Sequence, residues 1–177
     1  REIFEKGTVT KYSGDIITLF EQVNQKNCIE FIIKESIKKT PITIEFIKKL
    51  HFLIMNSAMK PNLIDKGERP GEFKKGDYVV GLNDVGCHPD DVVVELESIL
   101  DEVNSVVDIP LGKVINVGAY LHAWFEFTHP FADGNGRVGR MLLNYYLMTK
   151  GHPPIIIYNE DKNDYYKSLE EFSSTQD

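Results

Sequence analysis

From Leu111 to Thr128 the chain is apolar on nearly every side of a helix, with Val114, Val117, Leu121 and Phe125 at helical spacing. A helix of that character must be enclosed by other elements. No apolar run in the chain reaches the length of a membrane span, so the enclosing elements must come from the protein itself. The flanking sequence supplies them. Thr18-Leu19-Phe20-Glu21 has the form of a capping box and predicts a helix running to about Lys38. Thr40-Pro41-Ile42-Thr43 breaks it, and Ile44, Ile47, Leu50 and Ile54 then recur at helical spacing. Pro89-Asp90-Asp91 starts a third helix, with Val93, Leu96, Leu100 and Val103 as its apolar stripe. A further helix is predicted over Arg137 to Lys150, stopped by Gly151 and Pro153-Pro154, and a last one over about Asp161 to Phe172.

One stretch departs from this pattern. Gly71-Glu72-Phe73-Lys74, then Lys75-Gly76-Asp77, then Tyr78-Val79-Val80 reads as two short strands about a glycine-bearing turn. The expected fold is all-α with one small β-hairpin. No repeat, low-complexity tract or linker divides the 177 residues, so a single domain over 1–177 is expected, with its core over about 18–172. The net charge of −7 argues against broad nucleic-acid binding, which needs a basic face. Cys28 and Cys87 lack metal-type spacing and read as free thiols in a reducing compartment, which with the absence of a signal peptide predicts a cytoplasmic protein. A start at Arg1 rather than Met reads as a trimmed N-terminus.

The segment His129-Pro130-Phe131-Ala132-Asp133-Gly134-Asn135-Gly136-Arg137-Val138-Gly139-Arg140 carries the chemistry. Pro130 cannot continue the preceding helix and should push His129 into extended backbone. Gly134 and Gly136 flank Asn135, so the chain can bend tightly there and approach a ligand with no Cβ in the way. A helix start behind a glycine-bearing turn presents N–H groups to an anion. Arg137 and Arg140 lie on one face of that helix and suit a polyphosphate. Asp133 offers a hard oxygen where a magnesium ion bridging phosphates would need one, and His129 titrates in the range of a general base. Taken singly, each residue has a plainer reading: a helix-end His, a capping Asp or Asn, a turn, two solvated arginines. Together, at fixed spacing, they arise by chance on the order of once in 10^10 windows.

This segment resembles the Fic signature, His-x-Phe-x-[Asp/Glu]-Gly-Asn-Gly-Arg-x-x-Arg, at every defined position. The similarity extends over roughly Thr18 to Phe172. It implies a Fic-type helical bundle that acts as a protein adenylyltransferase, moving AMP from ATP, with Mg2+, onto a Ser, Thr or Tyr hydroxyl of a target protein or of itself, and releasing pyrophosphate. By the same resemblance His129 would be the base, Phe131 the loop anchor and Asp133 the Mg2+ ligand. Gly134, Asn135 and Gly136 would hold the α- and β-phosphates, Asn135 also stabilising charge at the reacting phosphorus. Arg137 would hold the γ-phosphate side and Arg140 the β-phosphate. Tyr165 and Tyr166 would lie near the adenine, packing of the terminal helix being an equal reading for them. The hairpin of Gly71, Glu72, Phe73, Lys74, Tyr78, Val79 and Val80 would be the flap that docks the target by strand addition. Many relatives have Arg where Lys74 stands.

Residues 1–17 would correspond to the regulatory segment that, in many relatives, carries an inhibitory [Ser/Thr]-x-x-x-Glu-[Gly/Asn] helix. Here Thr8 to Asp15 has no Glu in register, and Ser98 to Glu102 reads as ordinary helix surface, which would leave Arg140 open to phosphate. The alternatives are a relative's chemistry with another donor, transferring UMP, phosphocholine or phosphate, and a non-catalytic protein-binding module. Partners follow from the same resemblance: ATP and a protein substrate, with no nucleic acid and no membrane, and with homo-oligomerisation left open.

Overall fold

The computed structural model describes residues 15–78, 86–107 and 109–175, and every regular element among them is helical. Helix α1 (Ile16–Lys38) opens at Asp15, whose extended backbone and carboxylate cap the Ile17 N–H at 3.1 Å. The cap is therefore three residues earlier than the Thr18 box: an acidic side chain on extended backbone satisfies an orphan N–H, and Thr18 falls inside the first turn. At the far end Lys39 is left-handed (φ 53°), and the N–H groups of Lys39 and Thr40 bond back to the carbonyls of Ser36 and Glu35.

Thr43 caps α2 (Ile44–Met55) through the Phe46 N–H, and α2 buries Phe46, Ile47, Leu50, His51, Ile54 and Met55. A five-residue helix, α3 (Pro61–Asp65), follows. After a 3-10 turn at Pro89–Asp91, α4 (Val92–Ser105) buries Val92, Leu96, Ile99, Leu100 and Val103. Val93, expected on the inner stripe, is instead 40% exposed: with Val92 facing inward, its neighbour must face out. Ser98 and Glu102 lie on the exposed side of α4.

Helix α5 (Leu111–Thr128) has the expected bounds, and α6 (Asn135–Thr149) starts two residues before the expected Arg137. Gly151 (φ 77°) turns the chain away from α6, and α7 (Lys162–Thr175) closes the bundle after a 3-10 turn at Asn159–Asp161. Helix α6 packs on α1, α2 and α5, while α4 and α7 pack on other sides of α5. Val114, Leu121 and Phe125 of α5 are buried, but Ile115 is 48% exposed, so α5 is flanked on three sides and open along one edge. Fully burying a large apolar side chain such as Phe125, Phe131 or Leu142 stabilises by about 1.5–3 kcal/mol.

The expected β-hairpin is absent among the described residues. Residues 71–78 carry no strand, because the N–H groups a hairpin would pair are used elsewhere. Gly71 N–H donates to His51 Nδ1 (2.8 Å), Lys74 N–H to the Pro130 carbonyl (2.9 Å) and Lys75 N–H to Glu68 Oε1 (2.9 Å). Tyr78 Oη also donates to Glu68, which is buried (2.7 Å). The segment is an irregular strap laid over α2 and the signature loop. Val79 and Val80 lie outside the described residues. No helix among the described residues is long and apolar enough to cross a membrane. Cys28 and Cys87 are both unpaired, Cys28 being buried and Cys87 half-buried.

Candidate functional site

Helix α5 ends at His129, which is left-handed (φ 48°, ψ 61°) rather than extended. Pro130 excludes right-handed helix at His129, and the left-handed corner satisfies that restriction while still letting the His129 N–H reach the Phe125 carbonyl at 3.1 Å. The corner turns the imidazole into an open cleft of ≈ 490 Å³ that also holds Asp133, Gly136, Arg137, Arg140 and Tyr166. Burial, with the Lys74 ammonium beside it, pushes the His129 imidazole down to about 4, the Glu126 carbonyl and Asp133 pulling the other way. At neutral pH the ring is uncharged and able to accept a proton.

The loop from Pro130 to Gly134 is fixed from beneath. Phe131 is fully buried, and its ring lies parallel to that of His51 with centroids 3.8 Å apart. Asn135 is 2% exposed, and its amide clamps Phe131 twice: Oδ1 accepts the Phe131 N–H (2.9 Å) and Nδ2 donates to the Phe131 carbonyl (2.7 Å). The Asn135 side chain thus faces the loop interior, and its backbone N–H opens α6. Gly134 (φ 82°) precedes it, where a Cβ would stand 2.6 Å from Met55 Sδ, so the tight approach of loop to α2 requires glycine. The first N–H groups of α6 have no intrahelical acceptor, and Asn135 and Gly136 line the cleft, an arrangement that suits an anion.

Arg137 and Arg140 both line the cleft, with different partners. Arg137 Nη1 donates to Glu21 Oε1 of α1 at 2.6 Å, and its Nη2 stands 3.5 Å from Asp133 Oδ1. Arg140 folds back over Gly136, where a Cβ would lie 3.2 Å from Arg140 Nη1. Behind it, Glu126 and His122 of α5 occupy a slot left by Gly139, whose Cβ would stand 2.3 Å from Glu126 Oε1. Burial pushes the Glu126 carboxyl up to about 7, with Arg140 opposing, and its Oε1 has no hydrogen-bond partner. Glu126 thus interacts with Arg140 from within the fold. The expectation about an N-terminal inhibitory glutamate falls on Thr8 to Gly14, outside the described residues.

Asp133 Oδ1 accepts the Gly134 N–H (2.7 Å), and Oδ2 lies 3.8 Å from Lys60 Nζ. Among the described residues no cluster of three or more His, Cys, Asp or Glu could cage a metal ion. A lone half-exposed carboxylate beside an anion nest suits a hard cation that takes its remaining ligands from phosphate and water.

Tyr166 lines the cleft and is 49% exposed. Tyr165 does not line the cleft: its hydroxyl meets His122 Nε2 (2.9 Å) and the Arg140 guanidinium from behind, so α7 packs on α5 through it. The sequence reading missed His51, Glu21, Glu68 and Glu126. His51 is wholly buried; because Nδ1 accepts from Gly71, Nε2 carries the proton and donates to the Asp133 carbonyl (3.1 Å). Its one sequence signal is a polar residue four after Ile47 on the apolar stripe of α2. A larger cavity, ≈ 840 Å³, opens among Thr40, Val103, Tyr146 and Lys150 at the C-terminal end of α6. No carboxylate or imidazole among the described residues lines it, so the smaller cleft is the one equipped for acid–base chemistry.

Comparison with known proteins agrees with this geometry. Residues 41–147 match the Fic/DOC family. The chain is 34% identical over 141 residues to a protein adenylyltransferase Fic from Drosophila willistoni, covering 80% of this chain and 26% of that protein. It is 33% identical to the Drosophila persimilis protein of the same name, with the same coverage. The chain therefore spans about a quarter of the length of these curated relatives. Among solved structures, Fic-1 (residues 134–508) from C. elegans superposes with a TM-score of 0.75 at 27% identity, over 98% of this chain and 49% of that one. A Fic domain containing signaling protein from Bacteroides thetaiotaomicron superposes with a TM-score of 0.76 at 24% identity, over 96% and 62%, which supports the fold. With the family match spanning most of the bundle, and every defined signature residue but the buried Phe131 lining one cleft, the chain belongs to the Fic/DOC family.

Proposed function

We propose that this cleft transfers AMP from ATP to a Ser, Thr or Tyr hydroxyl of a protein. The observation that carries the reading is an uncharged, half-buried imidazole, His129, at the rim of an anion nest flanked by two arginines. The polyphosphate would lie on the N–H groups of Asn135 and Gly136, with Arg140 above the nest and Arg137 beside it. The target hydroxyl gives its proton to His129 as its oxygen bonds to the α-phosphorus, the bond from that phosphorus to the bridging oxygen breaks, and pyrophosphate leaves. Holding the reactants in line is the main contribution asked of the protein. Asp133 would hold Mg2+, which supplies charge neutralisation of the phosphates. Tyr166, half-exposed on the cleft lining, would flank the base. The names of the Drosophila relatives support AMP as the group transferred.

The test is incubation with ATP labelled at the α- or the γ-phosphate, with and without Mg2+, beside His129→Ala. Label from the α-position on protein, absent in the variant, is the expected result. Label from the γ-position would show phosphate transfer. No label from ATP, with transfer from another nucleotide, would move the reading to a different donor.

A further inference from the structure

Charge is distributed unevenly over this acidic chain. Residues 48–78 hold seven Lys or Arg against four Asp or Glu, whereas residues 86–107 hold six Asp or Glu and no Lys or Arg. Lys74 is buried, and the other six cations of the basic stretch are half-buried or exposed on α2, the α3 loop and the strap. Glu68 is buried under Lys75 N–H and Tyr78, and the Glu72–Lys75 pair (3.0 Å) cancels one charge of each sign, which leaves Lys48, Lys49, Lys60, Lys66 and Arg69 against the exposed Asp65 and Asp77.

Three lysines on this surface sit over aromatic rings: Lys48 Nζ 4.7 Å from the centre of Phe73, Lys49 Nζ 5.3 Å from Phe52, and Lys66 Nζ 5.6 Å from Tyr78. A ring face under an ammonium holds the charge near one place while leaving its outward N–H donors in solvent. Phe52 is 42% exposed, which adds apolar area between the charges. The surface is continuous with the cleft, since Tyr78 and Lys60 line the cleft together with His129.

The resemblance puts the target on the strap; we propose that the basic, aromatic-studded face beside it selects a target segment with acidic side chains flanking the accepting hydroxyl. The inference rests on the cleft being a transferase site for a protein hydroxyl. A polypeptide fits the surface better than a nucleic acid or a lipid headgroup does: its positive charges are few, stand among the exposed Asp65 and Asp77, and belong to a molecule of net charge −7. Exposed charges of this kind act within a Debye length, about 8 Å at physiological ionic strength, so they steer and select.

The test measures binding apart from transfer. Fluorescence anisotropy, without nucleotide, would follow three labelled peptides with a central Thr flanked by Asp/Glu, by Ser/Gly or by Lys. The acidic peptide should bind best, lose affinity as salt rises, and lose roughly tenfold in affinity in the double variant Lys49→Glu/Lys66→Glu, two exposed pairs being worth about that much. The variant's affinity for ATP, by calorimetry, should stay within about twofold of the parent's, and its circular dichroism should match. Equal binding of the three peptides, or a loss confined to ATP, would overturn the proposal. Acidic-peptide binding in a chain that transfers no nucleotide would remove the transfer reading and keep the docking surface. Transfer to acidic and uncharged peptides with equal KM would do the reverse.

Discussion

The Arg137 guanidinium reaches across to α1 and is held there by Glu21, Nη1 to Oε1 at 2.6 Å, while its other edge faces Asp133. Under the proposed function the same guanidinium must serve phosphate. Both side chains of the pair are partly exposed (28% and 40%), so the pair contributes at most about 1 kcal/mol to stability.

Glu21→Gln should therefore leave the melting temperature nearly unchanged and tighten ATP binding, by roughly 2- to 10-fold, because one competitor for Arg137 loses its charge. Isothermal calorimetry reads this directly. Weaker ATP binding in the variant would mean that Glu21 orients Arg137 and does not compete for it.

Asn135 has a different weakness. Its amide makes two buried bonds to one residue, Phe131, and both would be broken by Asn135→Ala, leaving the Phe131 N–H and carbonyl without these partners. A loss of about 2–4 kcal/mol is expected, which for a chain of this size lowers Tm by very roughly 5–15 °C. Thermal unfolding by circular dichroism measures it. Activity should fall at temperatures where the variant is still folded, since the loop under the nest is no longer pinned.

His129 accepts a proton only when neutral, and burial holds its imidazole down at about 4. The rate should stay flat from pH 8 down to about 5 and then fall with a midpoint well below the ordinary histidine value near 6.5. Lys74 is one of the groups that depress it, so Lys74→Met should move the acid limb upward. A midpoint that stays put in the variant would show that burial alone sets it.

Glu126 sets a pH dependence of the opposite sign for stability. Its carboxyl is pushed up to about 7 in the fold, from 4.5, so the stability it lends is complete below pH 4.5 and lost as pH rises to 7. Glu126→Gln should be more stable than the parent at pH 7.5, by an amount on the order of 1–3 kcal/mol, and should lose the advantage at pH 4.5. Urea unfolding at the two pH values tests this.

The helices and the cleft were legible for different reasons. Apolar spacing placed α2, α5 and α6 within two residues, because burial of a stripe is a local, repeating demand. The signature was legible because glycine, proline and arginine each have one strong physical use at such a turn. Residues 71–78 misled, since two short strand-like runs about Gly76 say nothing of who takes the N–H groups, and here His51 and Pro130 take them from distant parts of the chain and Glu68 from the preceding loop. Glu126 was hidden in the same way: only the packing of Gly139 against α5 shows that a carboxyl on an apolar helix has a slot to occupy.

His51 joins two things that sequence keeps 62 residues apart: the strap, through the Gly71 N–H, and the signature loop, through the Asp133 carbonyl. One rigid ring with a single proton cannot serve either neighbour differently without changing its bond to the other. The strap and the loop therefore behave as the two pans of one balance, and a load placed on either is weighed at both.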